Sequence, residues 1–384
     1  MVTYPADWEI DKVSNISDIT TGCRDTQDNI YNGRYPFFVR SPIVERINVS
    51  DFDCEAVLTA GDGVGTGKVF HYINGKFAAH QRVYVMSDFR KVTGKYFYYY
   101  FSRNFINEVE KYTAKSSVDS VRRAMIAEME FPHPSLPEQN RIVENLSCFD
   151  DYIDDLAELI EKKKGIRDGA LEDLMSGRTR LEGFDDGWVE NSIDEVTQTI
   201  ITGGTPATAH PEYYGGKIPW LSSTEIHQKR VSKPTAYITE IGLQNSSAKI
   251  APSKSVLIAL AGQGKTRGTA AYLLESMALN QSLAALVTNE KCDSEFLFYL
   301  IESLYLYLRE LSSGDGGRGG LNKKLIKAVV VKMPGDVAEQ KAIAAVLTAM
   351  DDEIEALEAE RDKMIQIREG AMDDLLTGRV HLTV

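Results

Sequence analysis

The feature that most limits how this chain can fold is a stretch that occurs twice. Glu138-Gln139 through Leu181 returns as Glu339-Gln340 through Leu382, 201 positions later. Within that frame Asp150-Asp151 recurs as Asp351-Asp352, Gly169-Ala170 as Gly370-Ala371, and Gly177-Arg178 as Gly378-Arg379. Both copies space their apolar residues alternately four and three apart. In the first the seam runs Ile142, Leu146, Phe149, Ile153, Leu156, Ile160, then Lys163, Arg167, Ala170 and Leu174. In the second it runs Ile343, Leu347, Met350, Ile354, Leu357, then Arg361, Met364, Arg368, Ala371 and Leu375. Such a seam is narrow, and it needs a second helix to cover it. Gly177 and Gly378 stand where a left-handed residue ends a helix. From Ile142 to Leu174 the rod is about 50 Å long at 1.5 Å per residue. The two copies therefore predict one intramolecular coiled coil.

Duplication extends beyond the rods. Trp8 and Thr21-Gly22 have counterparts in Trp188 and Thr202-Gly203, and Gly33-Arg34-Tyr35-Pro36-Phe37 resembles Gly216-Lys217-Ile218-Pro219-Trp220. Ala60-Gly61-Asp62-Gly63 matches Ala261-Gly262-Gln263-Gly264, Gln81 matches Gln281, and Arg122-Arg123 matches Lys323-Lys324. Between these anchors the halves differ greatly. Short β-like runs (Val83–Met86, Val256–Leu260, Ala328–Val331) mix with helical ones (Tyr96–Val109, Glu295–Leu311) and glycine-rich turns, which reads as α+β. The expected layout is globular domain 1–135, helix 136–181, globular domain 182–335 and helix 336–384. Each domain precedes its own rod, so antiparallel rods imply domains at opposite ends, related by a pseudo-twofold axis.

Charge follows the same division. The net charge of −13 argues against a nucleic-acid partner only if it is spread evenly. It is not: the rod segments carry −5 (residues 135–182) and −7 (335–384), whereas residues 1–134 and 183–334 carry −1 and 0. Acidity belongs to the rods, where it suits solvated faces or basic partner proteins. There is no run of eighteen apolar residues, and the N-terminus lacks the basic and apolar regions of a signal peptide. A cytoplasmic protein without a membrane association is expected. Cys23, Cys54, Cys148 and Cys292 show no metal or redox spacing and read as reduced and structural.

A search for chemistry returns little. Ala259-Leu260-Ala261-Gly262-Gln263-Gly264-Lys265-Thr266 approaches a phosphate-binding loop, but Ala259 stands where that pattern needs glycine. The first half keeps Ala60-Gly61 and Gly63 without the Gly-Lys-Thr. The alternatives are a tight turn or a glycine loop that meets DNA phosphates through backbone amides. No His-x-x-x-His pair or Asn/Asp-Pro-Pro-aromatic motif occurs, and Gly61-x-Gly63-x-Gly65-x-Gly67 misses the G-x-G-x-x-G spacing in every frame, so no metal site and no catalytic residues are expected. What remains is polar loop material suited to DNA. In the first half it comprises Arg34, Arg40, Lys68, Lys115, Ser117, Arg122 and Arg123. In the second it comprises Lys217, Ser222, Ser223, Gln263, Lys265, Thr266, Arg267, Arg318, Asn322, Lys323 and Lys324. Arginine and lysine chelate guanine, glutamine and asparagine read adenine, and hydroxyls and amides hold phosphates. Each of these also reads as an ordinary solvated side chain, and Phe37 and Trp220 as core.

The sequence resembles the specificity subunit of type I restriction–modification enzymes over essentially its whole length. The signs are Pro134-x-x-Pro137-Glu138-Gln139-x-x-Ile142, Pro334 with Glu339-Gln340-x-x-Ile343, and the closing Leu174-Met175-Ser176-Gly177-Arg178 and Leu375-Leu376-Thr377-Gly378-Arg379. Ala338 stands where the first copy has Pro137. The resemblance implies two target recognition domains separated by an antiparallel coiled coil, each reading half of a bipartite double-stranded DNA sequence. It implies helices that set the gap and dock two methyltransferase subunits, with restriction subunits joining that assembly. S-adenosylmethionine, ATP and magnesium would belong to those partners, and this chain would hold no cofactor. Two rival readings are a stand-alone architectural or regulatory DNA-binding protein and an NTPase built on the Lys265 loop.

Overall fold

A computed structural model describes residues 4–63, 65–113, 120–234, 236–262, 265–312 and 320–382. The chain divides into two compact units, one of residues 1–158 and 358–384, the other of 159–357. The boundaries cut across the two long helices, Leu136–Ser176 and Val337–Leu375. Each unit therefore holds one globular domain and one stretch of each helix.

In the first unit a six-stranded sheet is ordered Asp18–Thr21, Val83–Ser87, Phe52–Ala60, Phe70–Ala79, Tyr35–Phe38, Glu45–Ile47. Side chains alternate along its strands between two cores. Val57 and Met86 point to the core that holds the aromatic face of helix Gly94–Thr113, whereas Ala56, Leu58, Val83 and Val85 point to a second core with Phe38 and Phe77. Alternation of period two is what a strand imposes. The helix-side core also takes in Ile142 and Leu146 from one long helix and Met372, Leu375 and Leu376 from the other. Asp150 pairs with Arg368 and Tyr152 with Glu360, so the two helical segments run antiparallel.

The second unit repeats the plan with a different sheet. Five strands are ordered Thr197–Thr202, Leu283–Thr288, Val256–Ala259, Ala270–Leu273, Arg230–Val231, and four more Ala236–Ile238, Tyr214–Leu221, Met277–Leu279, Lys249–Ala251. Val256 and Ile258 face one core while Leu257 and Ala259 face the other. The first of these cores again receives both long helices, through Leu174 and Met175 on one and Ile343, Ala344 and Leu347 on the other. A single helix Glu295–Leu311 is not formed: the segment divides into Ser294–Ser303 and Tyr305–Leu311 at Leu304. Phe296 through Ile301 are all buried, so the first piece is enclosed on every side, while Leu306 and Tyr307 of the second are exposed. The third expected strand also shifts, to Val330–Pro334.

Every seam position named from the sequence is buried or half-buried: Ile142, Leu146, Phe149, Ile153, Leu156, Ile160 and Leu174 on one helix, Ile343, Leu347, Met350, Ile354, Leu357, Met364 and Leu375 on the other. The helices leave the left-handed glycines Gly177 and Gly378, both at φ +70°. In each unit a tryptophan lies against that turn: a Cβ on Gly177 would meet the Trp188 ring at 3.4 Å, and one on Gly378 would meet Pro5 at 2.5 Å and Trp8 at 3.2 Å.

Two repeated polar anchors join domain to helix. Gln139 is fully buried; its amide accepts from the Thr93 N–H at 3.0 Å and donates to the carbonyls of Lys91 and Pro134, both at 2.9 Å. Gln340 does the same with Asp293 N–H (2.8 Å), Lys291 O (3.0 Å) and Pro334 O (2.9 Å). Further along, Asp351 accepts from Arg167 Nε of the other helix at 2.9 Å and from Tyr299 Oη of the domain at 2.9 Å. In the first unit Asp150 forms an ion pair with Arg368 of the other helix and accepts from Tyr99 Oη of the domain.

These anchors differ in burial, which sets their cost. The Arg167 side chain is 4% exposed and is also held by Glu302, whereas Arg368 and Asp150 are 24% and 32% exposed. Removing one partner of a buried pair destabilises by about 3–5 kcal/mol, while a solvent-accessible pair contributes about 1 kcal/mol or less. Arg167→Ala is therefore expected to lower the urea midpoint several-fold more than Arg368→Ala. Equal shifts in parallel unfolding titrations would contradict this ranking.

Candidate nucleic-acid interface

In each domain the glycine-rich loop is the tip of a β-hairpin. Phe52–Ala60 pairs antiparallel with Phe70–Ala79, and Val256–Ala259 with Ala270–Leu273. No helix follows the Lys265 loop, so its backbone amides lack the strand–loop–helix setting of a phosphate loop. The resemblance to a phosphate loop thus falls between two paired strands, with Gln263 and Gly264 outside the described residues. In both domains the loop is held by the segment that follows the domain's helical region. Val121 N–H donates to Gly61 O at 2.7 Å, and Leu321 N–H to Leu260 O at 3.1 Å.

That hydrogen bond brings separate candidates together. In the first unit Asp62 lies between Arg40 (2.8 Å) and Arg82 (3.2 Å), and it bridges to Ser120 beside Arg122. Arg40 and Arg82 are exposed, their side chains at 44% and 64%. One carboxylate therefore holds two exposed guanidinium groups side by side, which leaves the site with excess positive charge. His80, whose proton affinity is lowered by burial and then by Arg40, accepts from the Arg82 backbone N–H at 3.0 Å. Arg82 was missed in the sequence; its only signal is its place after the repeated Gln81. Lys68 is exposed on the same hairpin. Arg123 reaches the Ile19 carbonyl at 3.5 Å, and Arg122 is the residue before helix Arg123–Ala127. Arg34 is elsewhere, stacked on Tyr35 at 5.3 Å. Lys115 and Ser117 lie outside the described residues.

In the second unit Lys265 is exposed, and Thr266 Oγ1 contacts His227 Nε2 at 3.2 Å. Tyr305 Oη donates to the Lys265 carbonyl at 2.8 Å, which ties the hairpin to the domain's helical layer. Lys265, His227 and Lys229 line one hollow of about 420 Å³, with Glu302 and Arg167 in its wall. Lys229 was also missed; its left-handed φ of 55° is a backbone feature that sequence does not show. Arg267, in the same loop, is half-buried. Asn322 caps helix Lys323–Lys327, its side-chain oxygen accepting from Leu325 N–H at 3.0 Å. That engages the carbonyl an asparagine would use to read adenine. Ser222 is likewise spent locally, donating to Glu225 at 2.8 Å. Lys217, Ser223 and Lys323 are at least partly exposed, and Gln263 and Arg318 lie outside the described residues.

Other chemistry is sparse. The four cysteines are free, and burial pushes the Cys292 thiol up to about 12. Among the described residues one group, Glu9, Asp11 and His133, has the spacing of a metal site. The Lys91 ammonium stands 2.9 Å from both carboxylates and holds Asp11 below its ordinary proton affinity, so the cluster is a salt-bridge network. Among the described residues no helix is long and apolar enough to cross a membrane.

The chain matches the type I restriction modification DNA specificity domain twice, over residues 5–164 and 185–366. It is 26% identical to a putative type I restriction enzyme specificity subunit, MjaX, of Methanocaldococcus jannaschii over 75% of this chain and 68% of that one. It is 23% identical to the MjaVIII specificity subunit of the same organism over 98% and 94%. The crystal structure of a type I restriction–modification S subunit from M. genitalium shares the fold, with a TM-score of 0.68 at 18% identity, covering 96% of each chain.

The arginine pair around Asp62 supplies a direct test. Arg40→Ala and Arg82→Ala are each expected to weaken binding to duplex DNA and to reduce the slope of log K against log salt by about 1. Fluorescence anisotropy at several salt concentrations reads both quantities. Unchanged slopes would exclude these guanidinium groups from the phosphate contacts.

Proposed function

Since this chain belongs to the type I restriction–modification DNA specificity family, with its domain present twice, we propose a bipartite reader: each globular domain reads one half of a split double-stranded DNA target. The chain is a non-catalytic subunit. The paired helices set the gap between half-sites and dock two methyltransferase subunits, through which restriction subunits join. S-adenosylmethionine is held by the modification subunits and ATP with magnesium by the restriction subunits, in the cytoplasm, while this chain binds none of them.

The observation that carries this reading is the contrast between anchors and loops. Gln139 and Gln340, Asp150 and Asp351, Gly177 and Gly378 make the same contacts in each unit. The surfaces presented by the hairpins do not match: Arg40, Asp62 and Arg82 in one, His227, Lys229 and Lys265 in the other. One supporting frame with two different faces is what an asymmetric target needs. Half-sites one helical turn apart are about 34–36 Å apart, and a rod of about 50 Å is commensurate with that spacing.

Co-expression with the adjacent methyltransferase subunit, followed by genome-wide mapping of methylated adenine, is expected to give a bipartite motif that disappears without this chain. Replacing residues 1–134 with the equivalent domain of another family member should alter one half-site and leave the other and the gap unchanged. If both half-sites changed, independent reading by the two domains would be wrong. If methylation did not depend on the chain at all, a stand-alone DNA-binding role would replace the proposal.

A further inference from the structure

Superposing the two long helices at their offset of 201 residues separates identities that the fold explains from identities that it does not. Gln139/Gln340, Asp150/Asp351 and Arg167/Arg368 are engaged in hydrogen bonds or ion pairs within their own units. Lys162/Lys363, Ile166/Ile367 and Gly169/Gly370 are exposed in both copies. Ile166 and Ile367 are 52% and 43% exposed. Spacings of four and three place the three residues on one face of each helix.

The glycines are the sharper anomaly. Each lies inside a long helix, where glycine is less stable than alanine. A Cβ built on Gly169 or Gly370 would meet nothing within 4 Å, so nothing in the chain requires its absence. Gly165 is equally open, yet the other copy has Gln366 there, so that position tolerates a long side chain. Many exposed positions on these helices diverge, as with Tyr152/Glu353 and Leu159/Glu360, although the exposed Asp151/Asp352 pair is also retained. A single exposed isoleucine is ordinary. An isoleucine and an unneeded glycine kept at the same exposed place in both copies call for a cause outside the chain, and one that acts twice.

We propose that Lys162–Ile166–Gly169 and Lys363–Ile367–Gly370 are two copies of one docking stripe, each receiving the same surface of a methyltransferase subunit. The isoleucine supplies the apolar anchor, and the bare glycine lets a partner backbone or side chain approach the helix closely. The rods' charges of −5 and −7 match a partner surface with a basic rim. Occupation by two copies of one protein follows from the identity of the stripes. The choice of methyltransferase as that protein rests on the functional reading above.

Native mass spectrometry of the co-expressed complex tests the stripe, using Gly169→Gln, Gly370→Gln, the double variant and Gly165→Gln as control. Wild type and Gly165→Gln are expected to carry two methyltransferase copies per chain, each single variant one, and the double variant none. The isolated variants should melt no lower than wild type, because glutamine is the better helix former, which separates lost docking from lost folding. Two copies retained by both single variants would overturn the stripe while leaving the functional reading intact. A wild-type chain that bound no methyltransferase would overturn both. Variants that instead abolished self-association of the isolated chain would assign the stripe to a second copy of this protein and overturn the methyltransferase assignment.

Discussion

Three elements in each unit meet at one carboxylate. Asp351 on one long helix takes an arginine from the other helix and a tyrosine hydroxyl from the domain, and Asp150 repeats the arrangement with Arg368 and Tyr99. The charge of Arg167, held away from water, is tolerable only when its partners are in place, while the more exposed Asp150 pair adds a weaker preference of the same kind. Helix pairing, helix register and domain docking are therefore specified together, and a slip in any one leaves an unpaired charge. Burial of Arg167 alone would lower its proton affinity, but Glu302 and Asp351 outweigh that and keep the guanidinium charged. Burial also pushes Tyr299 up to about 12, so it remains a hydroxyl donor at neutral pH. The apolar seam gives the helices their attraction; the aspartates decide how they align.

The duplication made much of this legible in the sequence. Helical spacing over a long uninterrupted run, terminated by glycine, leaves few alternatives, and the recurrence of Asp150-Asp151 and Gly177-Arg178 marked the residues that hold the junctions. Even the odd presence of Arg167 and Arg368 in an apolar seam has a structural cause in the opposed aspartates. The domains were less legible because their strands are short and their sheet order depends on distant pairings. In both, the strand that carries the Pro-aromatic pair of the Gly-x-x-Pro-aromatic motif lies parallel to a remote one, Phe37 opposite Ala78 and Trp220 opposite Ala278. Local pattern carries no information about such partners. The division of residues 295–311 at Leu304 was hidden for a similar reason: a continuous apolar run does not show where enclosure by the core ends.

The interface was the least legible part. Side-chain chemistry can be listed from sequence, but its availability depends on local geometry. Asn322 is spent on a helix cap and Ser222 on Glu225, while Arg82, which has no motif of its own, gains its place by sharing Asp62 with Arg40. The Lys265 loop shows the same limit in reverse. Its residue types resemble a phosphate loop, but a hairpin and a strand-to-helix turn aim their amides differently, and the amides rather than the lysine define that site.

An internal duplication offers a comparison that a single-copy protein lacks. Both copies share one chain and one cellular history, so an identity retained between them reflects a demand made at both places. Where the demand is internal, the structure displays it, as at Gln139 and Gln340 or around the two aspartates. Where a position is exposed, unobstructed and still retained, the demand comes from whatever covers it. On the proposed reading, the hairpin surfaces differ because their two targets differ, and the glycine stripes agree because what they meet is the same. Divergence and identity at the surface would thus separate the two kinds of partner proposed, a nucleic acid read asymmetrically and a protein bound twice.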